Sequence, residues 1–128
     1  MKRLEKYADY AYPLLRIVAG LMFSCHGAQK LLGLFAGTKA TVGSQLWFAG
    51  TIELVGGLAI ALGLGTRVAA FFASGEMLVA YLQIHWKFQL GSQLFPIINK
   101  GELALLYCLL FLFVFFRGGG KWSLTKRI

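Results

Sequence analysis

Apolar positions along this chain come in long runs rather than in the strict alternation of a half-buried strand. Four runs stand out: about Leu14 to Leu34, Leu46 to Leu64, Val68 to Trp86 and Asn99 to Phe116. Their lengths of 18 to 21 residues match the ~20 residues a helix needs to cross a ~30 Å hydrocarbon core. The pattern predicts an all-α integral membrane protein, a four-transmembrane-helix bundle forming a single domain over residues 1–128. Met1 to Tyr12 reads as a basic, aromatic lead-in, and Pro13 falls near the first helix start, where a missing N–H costs nothing. Phe35 to Gln45 and Lys87 to Ile98 read as loops, Gly65-Thr66-Arg67 as a tight turn, and Arg117 to Ile128 as a tail. In Asn99-Lys100-Gly101-Glu102, Asn takes the N-cap and Glu the third helical position of a capping box. Arg16 interrupts the first run and no small-x-small cleavage site follows, so that run reads as a mature helix rather than a signal peptide.

Composition supports the same class. Apolar residues make up 58% of the chain and charged residues 14%, against roughly 25% charged in soluble domains. A soluble domain of this size could not hide so much apolar surface. The net charge of +8 does not point to nucleic acid, because the basic residues cluster at the ends of apolar runs instead of forming one stripe. Four crossings put both termini on one side. The tails and the 65–67 turn carry Lys2, Arg3, Lys6, Arg67, Arg117, Lys121, Lys126 and Arg127; the opposite side carries Lys39, Lys87 and Lys100, with Lys30 at a helix end. The positive-inside rule then predicts a bacterial inner-membrane protein with both termini cytoplasmic. Trp47, Trp86 and Trp122 stand at run ends as interface anchors.

Candidate chemistry rests with the ionisable residues inside the runs: Arg16, His26, Lys30, Glu53, Glu76 and His85, with Glu102 at the fourth entry. An unpaired charge at mid-bilayer costs about 2.5–3.5 kcal/mol even on the lenient insertion scale, so these groups must face inward, pair or snorkel. Arg16, Gly20, Phe23, Gly27 and Lys30 share one helical face, with His26 one turn before Lys30. Ala49, Glu53, Gly57 and Ala61 form a stripe of small residues around Glu53. Ala69, Ala73, Glu76 and Ala80 do the same for Glu76, and α-helical spacing puts His85 on the opposite side of that helix. Small residues allow close helix approach, so Glu53 belongs on a packing surface. Together these placements predict an outward-facing polar cavity bounded by His26, Lys30, Glu53 and Glu102, with Arg16, Glu76 and His85 as relay or structural residues.

Each residue also has a plainer reading. Arg16 can snorkel to cytoplasmic headgroups, Glu102 can be a capping carboxylate, and Lys30–Glu53 can be a structural pair. Two histidines without further support argue against haem. Cys25 and Cys108 lack metal or CxxC spacing and read as apolar fillers; no metal is expected. Gly118-Gly119-Gly120-Lys121 lacks the spacing of a P-loop.

Leu15-Arg16 with Gly20, Phe23, His26-Gly27 and Gln29-Lys30-Leu31 resembles the opening motif of the DoxX family of small bacterial inner-membrane proteins. Phe48-Ala49-Gly50, Glu53-Leu54-Val55-Gly56-Gly57, Leu62-Gly63-Leu64 and Thr66-Arg67 are similar to its second block. Asn99-Lys100-Gly101-Glu102-Leu103-Ala104 is similar to its fourth-helix entry, and Gly118-Gly120-Lys121-Trp122-Ser123-Leu124 to its tail. The resemblance runs from about Leu14 to Leu124. It implies a four-helix inner-membrane protein with a loose link to redox membranes, since the related DoxD subunit belongs to a thiosulfate:quinone oxidoreductase. It carries no agreed catalytic residues.

Three functions remain open on this reading. The first is a redox-associated subunit, partnered with redox enzyme subunits, that binds a quinone or similar lipophilic molecule beside His26, Lys30 and Glu53. The second is a structural, partner-binding membrane subunit. The third is a proton or small-solute carrier using Glu53 and Glu76, for which four helices give a compact path unless a homo-oligomer forms.

Overall fold

A computed structural model describes residues 1–125; Lys126 and Arg127, counted above toward the basic tail, lie outside the described residues. Among the described residues all regular structure is helical. A single turn, α1 (Lys2–Glu5), precedes α2 (Ala8–Leu32). A second rod, Gln45–Leu62, joins α3 (Gln45–Thr51), a π-helical segment π1 (Ile52–Gly56) and α4 (Gly57–Leu62). A third, Thr66–Trp86, joins α5 (Thr66–Ala80) to π2 (Tyr81–Trp86). A 3₁₀ turn (Gly91–Leu94) and α6 (Pro96–Asn99) lead to a fourth rod, α7 (Glu102–Arg117). Gln45–Leu62 and Thr66–Trp86 are each long and apolar enough to cross a membrane.

Several boundaries differ from those read in the sequence. The first rod starts at Ala8, so Pro13 sits inside the helix and not at its start. The lead-in is helical because Tyr12, buried at 7% exposure, anchors it through a hydroxyl donated to the Gly118 carbonyl. The capping box is absent. Gly101, not Asn99, precedes α7, and no side chain caps that helix. Asn99 instead ends α6, where its amide donates to the Tyr81 hydroxyl and the Gln93 carbonyl and accepts from the Gly101 N–H. Gly33 and Gly63 stop their rods in the left-handed conformation (φ 69° and 71°) that glycine adopts without a Cβ penalty.

The first two rods pack backbone to backbone through glycine. A Cβ on Gly20 would fall 2.6 Å from the Ala61 nitrogen, and one on Gly57 would fall 2.6 Å from the Gly20 oxygen. One turn-pair further on, Gly27 lies against Leu54 and Gly50, and Gly50 against the Lys30 stem. Such contacts replace the hydrophobic drive that lipid does not supply. The third rod packs on α7 through Ala70, Ala73 and Met77 against Ala104, Cys108 and Phe111, and Ser74 donates to the Cys108 carbonyl (2.8 Å). Gly27→Leu should therefore push two backbones apart and lower stability by about 1–3 kcal/mol, the usual cost of overpacking. Thermal unfolding in detergent measures it. A Gly27→Leu protein as stable as the parent would refute the glycine contact.

Polarity runs inside out relative to a soluble protein. Leu21, Met22, Phe71, Phe72, Leu106 and Phe113 are exposed, while Arg16, Glu53, Thr66, Ser74 and Asn99 are buried. An apolar belt around a core that holds polar groups among its apolar side chains suits lipid, where every interior polar group needs an internal partner. Arg16 is 0% exposed, which removes the snorkelling reading. Its guanidinium donates to the Ile60, Ala61, Lys121 and Trp122 carbonyls, tying α2 to the end of α4 and to the tail. The tail is pinned to the same turn by Ser123, which donates to the Gly63 carbonyl (2.9 Å), and by the Leu124 N–H bonded to Leu62.

Candidate functional site

The rods are not evenly spaced. The first pairs tightly with the second and the third with α7, whereas α2 and α7 meet through side chains. Phe23 and Phe111 rings lie 4.8 Å apart, and Tyr107 stacks on Phe111 at 5.4 Å. Rings hold this gap open at the end of the molecule that carries the 33–44 and 87–101 connections. There Phe23 and Tyr107 line a cavity of about 300 Å³ whose walls also include His26, Lys30, Glu53, Glu76 and His85.

Lys30 and Glu53 form its centre. The Lys30 ammonium donates to both oxygens of Glu53, at 2.8 and 2.7 Å. Glu53 is 2% exposed and Lys30 24%. Gly27 and Gly50 make the pairing geometrically possible, because only without side chains there can α2 lie close enough to α3 and π1. Two of the three ammonium protons are used on Glu53, which leaves one N–H for another acceptor. The carboxyl of Glu76 adjoins that of Glu53 from the third rod, and its Oε2 is buried without a hydrogen-bond partner. The Tyr107 hydroxyl is likewise buried and unpartnered. His26 stands edge-on to the Tyr107 ring at 6.1 Å.

Both π-helical segments carry cavity residues: Glu53 lies in π1 and His85 in π2. A π turn takes up more residues than an α turn, so it rotates the residues that follow it. That rotation brings His85 into the cavity with Glu76, where uniform α-helical spacing placed the two on opposite sides. π turns recur at functional sites because they re-aim side chains in this way.

Of the residues expected to bound a cavity, His26, Lys30 and Glu53 line it, and Glu102 does not. Glu102 is exposed at the start of α7 and is not part of the wall, to which Lys100 and Leu103 contribute instead. The left-handed Lys100 (φ 66°) turns the chain at this point, so the fourth rod starts two residues later than the capping-box reading required. Arg16 is remote, at the other end of α2. Tyr107 was missed from the sequence. The inward stripe of Ala104, Tyr107, Cys108, Phe111 and Val114 held the signal, since Tyr107 brings the stripe's one hydroxyl. Cys108 is buried, but Cys25 is exposed on the outer face of α2 and does not fill the interior; neither forms a disulfide. Among the described residues, no group of three or more His, Cys, Asp or Glu side chains is placed to hold a metal ion.

The cavity thus combines aromatic walls, donors (Lys30, Tyr107), carboxyl acceptors (Glu53, Glu76) and two imidazoles. That set can hold a planar, polar-ended molecule and can exchange protons with it.

Two known proteins resemble this chain. An uncharacterized protein of Haemophilus influenzae is 45% identical over 99% of this chain and 97% of its own length. The putative oxidoreductase CatD of Bacillus subtilis is 28% identical over 66% of each chain. No solved structure matches. The DoxX family model matches residues 12–86, which takes in the first two motif blocks and both π segments; the fourth-helix entry and the tail lie beyond it. Family, apolar exterior and buried charged groups lead to one conclusion: this chain is a membrane protein and belongs to the DoxX family.

Proposed function

We propose that the protein is a redox-associated inner-membrane subunit that holds a quinone headgroup between His26, Lys30, Glu53, Glu76, His85 and Tyr107. The observation that carries this reading is that two residues lining the aromatic-walled cavity, Tyr107 and Glu76, each hold a buried polar atom without a hydrogen-bond partner, Tyr107 Oη and Glu76 Oε2. An unmade hydrogen bond at such a site costs about 1–3 kcal/mol, and a bound headgroup would recover it. The ring fits between aromatic walls. Its oxygens accept from the Tyr107 hydroxyl and from the free N–H of Lys30, while Glu76 and the imidazoles supply proton acceptors for the reduced form. The volume of about 300 Å³ is at the small end of ligand pockets, which suits a headgroup more than a whole lipid. The relationship to CatD, named as a putative oxidoreductase, supports a redox setting.

A short-tailed quinone should raise the thermal midpoint of the purified protein, since saturation at 100 Kd adds about 2.7 kcal/mol. Tyr107→Phe keeps the ring and removes the hydroxyl. It should unfold near the parental temperature without ligand and lose most of the quinone shift. No shift in the parent protein would refute the reading. One observation favours a second function, proton or small-solute carriage: Glu53 and Glu76 adjoin across two rods. Proton flux in vesicles that survives full quinone extraction would select it.

In the membrane, all four rods cross, with the cavity in the outer half and both termini in the cytoplasm, following the basic residues at the terminal end. Alkaline phosphatase fused after Thr125 should be inactive, and inserted in the 35–44 connection it should be active. The reverse pattern would turn the cavity toward the cytoplasm.

A further inference from the structure

A second hollow, of about 530 Å³, runs along the outside of the molecule between the second and third rods, from Gln45 and Gln83 at one end to Phe71 and Phe72 at the other. It is contiguous with the polar cavity. Leu46, Ala49, Glu76, Ala80 and Ile84 line both, so the two hollows meet along these five residues. From Phe71 to Gln83 the groove spans about 18 Å at the α-helical rise. Its lining is apolar except for Glu76 and the glutamines, and Gln45 donates to Gln83 (2.6 Å) across the end nearest the connections.

At Gly20, Gly27 and Gly57, which face a neighbouring rod, a Cβ would strike backbone, whereas at Gly56 it would meet only the Ala69 carbonyl at 3.9 Å and at Gly43, Gly65 and Gly91 nothing within 4 Å. At Gly75 a Cβ would meet nothing within 4 Å, and Gly75 lines the groove. Glycine in a helix interior weakens the helix relative to alanine, and here no packing requires it. What its missing side chain leaves is open space beside Glu76, in the middle of the groove.

We propose that this groove holds the isoprenoid tail of a membrane quinone whose headgroup occupies the polar cavity, entering sideways from the lipid between the second and third rods. The inference rests on the quinone reading and adds to it the ligand's class, a long-tailed quinone, and its route. The tail lies against Phe71, Phe72 and Val79, and the Gln45–Gln83 bond closes the groove at the end nearest the connections, so the tail leaves toward the middle of the bilayer.

The test compares a tailless benzoquinone with a prenyl-tailed one, corrected for partitioning into detergent, on the parent and on Gly75→Leu. A side chain added at Gly75 enters open space, so the variant should fold as well as the parent. The parent should prefer the tailed compound by at least about tenfold, since two buried methylenes already supply that much. Gly75→Leu should lose the preference and keep its affinity for the tailless compound. A tail bearing a photoreactive diazirine should label the 71–79 segment of the parent. Labelling of α7 instead, or a tail preference untouched by Gly75→Leu, would overturn the groove. If the parent binds the tailless compound and a tail adds nothing, the groove fails and the headgroup site stands. If it binds neither, both fail.

Discussion

Lys30→Met should destabilise the protein by about 3–5 kcal/mol, the range for removing one partner of a buried ion pair. The stranded Glu53 is 2% exposed and has Glu76 beside it, so losing the cation leaves two adjoining carboxyls without a counter-charge. Glu53→Gln should cost less. Lys30 is 24% exposed on a flexible stem, so its freed ammonium can turn to the cavity rim or to Glu76. The double variant Lys30→Met with Glu53→Gln should be milder than Lys30→Met alone, because no charge is left uncompensated. Thermal unfolding of the four proteins orders these values. If stability and quinone binding both return in the double variant, the pair is scaffold only. If stability returns and binding stays lost, the pair belongs to the site, which is the expected outcome. Single variants as stable as the parent would show that the pair contributes nothing.

The second large effect concerns Arg16, at the opposite end of α2. Its guanidinium reaches four carbonyls on two segments, Ile60 and Ala61 on α4 and Lys121 and Trp122 in the tail. Arg16→Leu leaves those carbonyls to find other donors, at about 1–3 kcal/mol for each that stays buried and unmade. Some will be re-satisfied, so a total loss of about 3–5 kcal/mol is expected, within the range of strongly destabilising substitutions. Arg16→Lys should recover only part of it, because an ammonium has no planar fork with which to bridge two chain segments. The tail should also loosen. Limited proteolysis should cut after Lys121 in Arg16→Leu faster than in the parent, with the cavity-side connections unchanged. Equal rates would contradict the assignment of Arg16 as the tail clasp.

Much of the fold was legible because lipid imposes simple rules. Apolar runs of bilayer length mark rods, and small residues mark the faces on which rods meet, which is how Gly20, Gly27 and Gly57 could be placed. The Lys30–Glu53 pairing followed from the same faces and from the cost of leaving either charge alone in an apolar environment. What could not be read depended on local departures from the α-helix. The two π segments have no composition of their own, yet π2 decides that His85 faces the cavity. Asn99 offered a capping box that the chain did not use, because Pro96 starts an extra turn, α6, and Lys100 breaks it. That break moved Glu102 out of the wall. Tyr107 escaped notice because an aromatic on a fully apolar stripe reads as packing, and its hydroxyl matters only once the cavity is seen. Arg16 was open between headgroup and interior until the tail was found folded over it.

A quinone held in the polar cavity within the membrane would set the protein's function. Mass spectrometry of lipids extracted from the gently purified protein asks this most directly, with the Lys30→Met, Glu53→Gln double variant as comparison. The parent should carry a quinone enriched over bulk membrane and approaching one per chain, and the double variant, folded to a similar stability, should carry none above background. Quinone at the bulk-membrane level in both proteins would contradict the account.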